Sequence, residues 1–179
     1  MRGATIAAAA AVALLVGGML DTPAARAGDL TTVVCLGSDA ASYSPGLRDF
    51  SQTVTFASTP EGHSCTGLGK ISGDDSFTGN FTGTFPLSCT SLLGPVGVTQ
   101  VFTWSPSGRT STWAASSVEV TYLAGQQITT FTGRITAGDY TGANLTDVEA
   151  FPSSALTACL SSPGLTHTMG LGTWTFTGL

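Results

Sequence analysis

The side chains able to do acid–base chemistry near neutral pH are few. The chain has two histidines, His63 and His167. Serine-type hydrolysis would need one of them to hold a nucleophile on one side and an orienting acid on the other. Serines are abundant, but no G-x-S-x-G elbow is present. Both histidines follow turn-like stretches, Pro60-Glu61-Gly62 and Pro163-Gly164-Leu165, and are expected as exposed loop residues. Asp74 and Asp75 could supply the two carboxylates of a glycosidase, provided burial raised one of them. Adjacent on a strand they would point to opposite sides, and in a turn both would be solvated. There is no P-loop-type glycine run. These absences point away from an enzyme and from a bound cofactor or metal.

Recognition chemistry is better represented. Among the three tryptophans, Trp104 and Trp174 fall on apolar strand faces and are expected in the core. Trp113 lies between Thr112 and Ala114 and is expected at the surface. With Arg109 it forms the candidate interface, because Trp and Arg are enriched at binding hot spots. A second route to a partner is the segment Gly28 to Gly37, which could add as a strand to another protein's sheet edge.

The elements that must hold these residues begin after a targeting signal. Arg2 opens a short positive region, Ala4 to Leu20 is apolar, and Ala25-Arg26-Ala27 forms an A-x-A cleavage site. The expected organisation is a signal peptide over 1–27 and one secreted domain over 28–179. Past Ala27 the only bases are Arg48, Lys70, Arg109 and Arg134, against ten acids. That balance disfavours nucleic acid and anionic membrane surfaces, which need a basic stripe. All four cysteines, Cys35, Cys65, Cys89 and Cys159, lie in this part and form no C-x-x-C, so zinc and thioredoxin-type chemistry are poor readings. Two disulfides are expected. Three connectivities are open; Cys35–Cys65 with Cys89–Cys159 is the favoured one, and Cys65–Cys89 across the Gly73-Asp74 turn the runner-up.

Strand signals fill the rest. In Ile71 to Cys89, Phe77, Phe81 and Phe85 are spaced by four with Gly79 and Gly83 midway. All five share one strand face, where glycine leaves room for a facing ring. Phe102 and Trp104 share a parity with Val96 and Val98. Val118, Val120 and Tyr122 alternate with Glu119 and Thr121 within Thr110 to Leu123. Ser38 to Arg48, Thr59 to His63 and Pro152 to Leu165 read as loops or turns. Ile71-Ser72-Gly73-Asp74 is echoed by Ile135-Thr136-Ala137-Gly138-Asp139. Both read as hairpins with a Gly-assisted turn, or else as two acidic tips holding a cation. Eight or nine strands with no helix argue for an all-β domain, expected as an immunoglobulin-like antiparallel β-sandwich rather than a closed barrel.

Cys35-Leu36-Gly37, Tyr43-Ser44-Pro45-Gly46-Leu47, Cys65, Phe81-Thr82-Gly83-Thr84, Ser88-Cys89, Phe102-Thr103-Trp104 and Ala158-Cys159-Leu160 together resemble small secreted disulfide-bonded proteins of actinomycetes. More loosely, the chain is similar to the small adaptor subunit of the umbrella toxin particles of Streptomyces. That resemblance implies a non-catalytic extracellular interaction module, with secreted protein partners in a hetero-oligomeric antibacterial assembly. It carries over no binding residues. The alternative is a small-ligand carrier like the apoproteins of enediyne antibiotics, which are also acidic, secreted and doubly disulfide-bonded. Cysteine spacing and length depart from that group. A secreted hydrolase ranks third and would need a buried acid beside His63 or His167.

Overall fold

The computed structural model describes residues 31–89 and 97–178. The targeting segment and Val96 lie outside the described residues. Eight strands follow in chain order: β1 (Thr32–Leu47), β2 (Gln52–Gly67), β3 (Asp74–Leu87), β4 (Thr99–Pro106), β5 (Thr110–Leu123), β6 (Gln126–Gly138), β7 (Asn144–Pro152) and β8 (Leu165–Thr177). A 3₁₀ helix, Ser153–Leu160, joins the last two.

Each strand pairs antiparallel with the next, and β8 returns to pair with β1, closing an up-and-down barrel. The all-β, antiparallel, doubly disulfide-bonded expectation holds, but the two-sheet sandwich does not. Alternation along each strand encodes one inward face and is the same for both architectures. What separates them is the β1–β8 ladder, Thr32↔Thr177 through Ser42↔His167, a pairing with no local sequence signal. Over Val33–Gly37, β1 is hydrogen-bonded to both β2 and β8, so this part of the Gly28–Gly37 segment has no edge to offer a partner.

The strands are long. β1 and β2 each have 16 residues, against about five or six in an ordinary strand. Ser38–Leu47 and Thr59–His63, expected as loops, are strand. Their Ser, Pro and Gly content mimics turn chemistry, but tilted barrel strands extend far along the wall and accept such residues at irregular points. One is Ser64, with φ 51°. There the β1–β2 register shifts and the inward parity of β2 changes from even (Val54, Ser58, Gly62) to odd. Cys65 thereby faces inward and bonds Cys35.

Phe77, Gly79, Phe81, Gly83 and Phe85 do share the inward face of β3. The Phe81 and Phe85 rings stack with centroids 6.0 Å apart, and a Cβ on Gly83 would lie 2.3 Å from the Phe85 ring. The room left by glycine is therefore filled as expected.

The interior divides into two apolar plugs. At one end Phe77, Phe102, Trp104, Trp174 and Phe176 pack as a dense aromatic cluster with Cys35–Cys65. At the other, Tyr43, Leu47, Val54, Leu87 and Leu165 pack with Cys89–Cys159. The second bridge ties the 3₁₀ helix to the end of β3, fixing that helix across the barrel mouth. Both bridges are the favoured pair.

Candidate ligand site inside the barrel

Between the plugs lies a polar layer built by strand parity. On β7 the inward residues are Leu145, Asp147, Glu149 and Phe151; on β1 they are Val33, Cys35, Asp39, Ala41 and Tyr43. Asp39, Asp147 and Glu149 are therefore carried to the interior with the apolar residues of their own strands, each under 10 % exposed. Strand β8 runs between β1 and β7, and opposite Asp39 and Glu149 it places Gly170 and Gly172. The space over these glycines is taken by the Phe151 and Trp174 rings, and the Asp39 and Glu149 carboxyl groups come within hydrogen-bonding reach of each other across β8.

The electrostatics follow from burial. Desolvation holds the Asp39 carboxyl above the ordinary range, opposed by hydrogen bonds from Glu149, Ser58 and the backbone. The Ser58 hydroxyl donates to both Asp39 oxygens at 2.9 Å. Glu149 is pushed up much further, by desolvation and then by the charges of Asp147 and Asp39. These effects favour the protonated form of Glu149, the form able to donate a hydrogen bond to Asp39. Asp147 is likewise pushed well up by burial and by Asp39, with the Trp174 indole opposing the rise. Trp174 faces Asp147 in the β7–β8 register, yet no well-formed hydrogen bond joins them. Asp147 Oδ1 and Trp174 Nε1 are both buried without a partner. Burial also lifts the Tyr43 phenol to about 12.

A hollow opens from this layer toward the mouth. Its cavity volume is about 40 Å³, and its apolar walls include Tyr43, Phe56, Phe131, Phe151 and Leu156. A second hollow of about 50 Å³ shares Asp39, Glu149, Phe56 and Phe131, and reaches Asp147 and Trp113. Gln127 enters the first. Its amide nitrogen bonds Thr129 Oγ1 at 3.4 Å, while its Oε1 is buried without a partner. Concave, largely apolar and holding a few convergent polar groups, the hollow has the lining of a small-molecule site. Among the described residues no group of three His, Cys, Asp or Glu side chains is arranged to hold a metal ion.

The residues expected to carry function lie elsewhere, with one exception. Trp113 is not a surface residue. It is 4 % exposed, stacks on Phe102 at 6.2 Å and meets Phe131 edge-on at 6.4 Å, because odd positions at the start of β5 face the lumen. It therefore leaves the proposed interface and enters the wall of the hollow. Arg109 stays at the surface but is committed. Its guanidinium donates to Asp74 at 2.8 Å, to Ser72 O at 2.7 Å and to Asp139. The two echoing Gly-Asp turns do hold a cation between them, and it is this arginine. Asp74 is fully buried and also accepts from Ser107 Oγ at 2.8 Å, whereas Asp75 is exposed and pairs with Lys70. His63 and His167 are exposed as expected, but they lie on the outward faces of β2 and β8 rather than in loops, apart from the buried acids.

The acidic layer itself was missed by sequence reasoning. The signal was present on β7, where Asp147 and Glu149 share parity with Leu145 and Phe151. On β1 the loop reading of Ser38–Arg48 hid the parity of Asp39. The fold and site define a closed antiparallel barrel with an acid-lined interior. Comparison with protein-family models, with curated proteins and with solved structures finds no match.

Proposed function

We propose that the chain is a secreted, non-catalytic small-ligand-binding protein that holds its ligand in the barrel. The observation that carries this reading is the hollow between the two plugs, where aromatic walls meet buried carboxyls and acceptors that the protein leaves unsatisfied. Buried polar groups without partners oppose folding, and a ligand that satisfies them removes that cost. The carrier expectation is kept; its immunoglobulin-like scaffold is replaced by a barrel. Two disulfides fit an oxidising compartment, in keeping with export. The reading favours binding over hydrolysis because neither histidine reaches the hollow.

The test is a thermal-shift screen of small aromatic and aliphatic compounds against the protein and against Ala41→Phe. Ala41 lines the hollow and is 4 % exposed, so a larger side chain there occupies the space. Compounds that stabilise the parent and not the variant support the reading. Equal stabilisation of both places the ligand outside the barrel.

A second reading, a subunit of a secreted toxin assembly, rests on a different surface. Leu36, Met169 and Leu171 are 57 %, 70 % and 71 % exposed on the outer face of β1 and β8. Apolar residues grouped on a surface are a feature of protein-partner sites. Leu171→Arg should abolish capture of secreted partners by a tagged chain; unchanged capture removes this face from the interaction.

A further inference from the structure

We infer that the ligand is a small organic cation, an amine or amidine on an aromatic or aliphatic body, with its nitrogen seated among Asp39, Asp147 and Glu149. The inference rests on the ligand-binding reading and adds the chemistry of the ligand. Three observations carry it. First, three carboxyl groups converge in the polar layer, and neither hollow has a Lys, Arg or His among its lining residues; the unpartnered donor that lines the second hollow is the neutral Trp113 indole. Second, two acceptors outside the Asp39–Glu149 pair are buried and unpartnered, Asp147 Oδ1 and Gln127 Oε1. Gln127 is 1 % exposed and lines the hollow with Asp39 and Glu149. Unsatisfied acceptors call for a donor, and an ammonium group is three donors with no acceptor. Third, Tyr43, Phe56 and Phe131 stand beside the carboxyls, and aromatic faces attract a desolvated cation. A bare metal ion lacks the required arrangement of ligands among the described residues.

Binding a cation makes the charged form of these acids favourable, so protons leave as the ligand enters. The titratable groups facing the site are Asp39 and Tyr43 on β1 and Asp147 and Glu149 on β7; the side chains reaching it from β2, β4 and β6, namely Ser58, Gln100, Gln127 and Thr129, are neutral. Affinity for an amine should rise with pH while the amine itself stays protonated.

The experiment is calorimetric titration of the folded, oxidised protein with 2-phenylethylamine and agmatine, beside 2-phenylethanol and phenylacetate. The set is repeated at pH 5.5 and 7.5 and in two buffers of different ionisation enthalpy. The amines should bind at least about tenfold more tightly than the neutral alcohol, since hydrogen bonds between charged partners are the stronger ones. They should bind more tightly at pH 7.5 with proton release, and phenylacetate should not bind. Asp147→Asn with Glu149→Gln should erase the preference for amines. Gln127→Leu, which leaves the carboxyls in place, should weaken amine binding alone if the double variant does not fold. Equal binding of alcohol and amine overturns the cation assignment and leaves the ligand-binding reading standing. Absence of amine binding up to about 10 mM overturns the assignment as well. If the compounds of the thermal-shift screen also fail to bind, the ligand-binding reading falls with it.

Discussion

Asp147 shows how a single buried carboxyl couples stability to pH. Burial and the neighbouring Asp39 hold its folded-state pKa well above the ordinary aspartate range, and burial with Asp147 and Asp39 holds that of Glu149 well above the ordinary glutamate range. The folded protein therefore binds more protons than the unfolded chain, and stability falls as pH rises above these values. Unliganded protein should melt at a higher temperature at pH 5 than at pH 8. The combined Asp147→Asn and Glu149→Gln substitution should flatten that slope and stabilise the fold at pH 8 by roughly 1–3 kcal/mol, the usual scale for relieving a buried charge-bearing group of its desolvation. Thermal melts of both proteins across this range are the check, and a parent melting point that rises from pH 5 to pH 8 would contradict the sign. At this scale the sequence was only partly legible. The inward parity of Phe77, Phe81 and Phe85 could be read because they are apolar and regularly spaced. Acids on an inward face look the same in sequence as acids on an outward one until the strand's apolar members are set beside them.

At the scale of elements, glycine positions and the second disulfide do the shaping. Gly172 sits on the inward face of β8, and a Cβ there would lie 2.1 Å from the ring of fully buried Trp174. Gly172→Ala should cost about 1–3 kcal/mol, the range for overpacking a filled core, measured as a loss in denaturant midpoint; a neutral result would mean that the aromatic plug is loosely packed. Cys89 and Cys159 are 70 residues apart, so their bridge restricts the unfolded chain by about 4 kcal/mol in the chain-entropy picture. Replacing both with serine should lower the melting point. It should also speed ligand exchange more than affinity alone would require, because the 3₁₀ helix is then held across the mouth by fewer restraints. Unchanged exchange with a lowered melting point would show that this helix does not govern entry. The existence of strands was legible because β-branched and aromatic residues alternate. Their lengths were not, because Tyr43-Ser44-Pro45-Gly46 and Pro60-Glu61-Gly62-His63 have turn composition within continuous strands.

For the whole molecule, closure is the decisive property, and it depends on a pairing between residues more than a hundred positions apart. Local patterns specify an inward face but not whether the first and last strands meet, so sandwich and barrel read alike. Closure pairs β1 on both sides over Val33–Ser42 apart from the bulge at Cys35, which removes strand addition there, and leaves Leu36, Met169 and Leu171 exposed on the outer strip. The most direct test of a ligand-binding barrel is native mass spectrometry of the protein purified from its producer, set against the same sample denatured and desalted. The account predicts a small non-covalent companion that adds mass to the native spectrum, released on denaturation and absent from Ala41→Phe. The bare chain mass in both spectra, or a companion retained in full by Ala41→Phe, would contradict it.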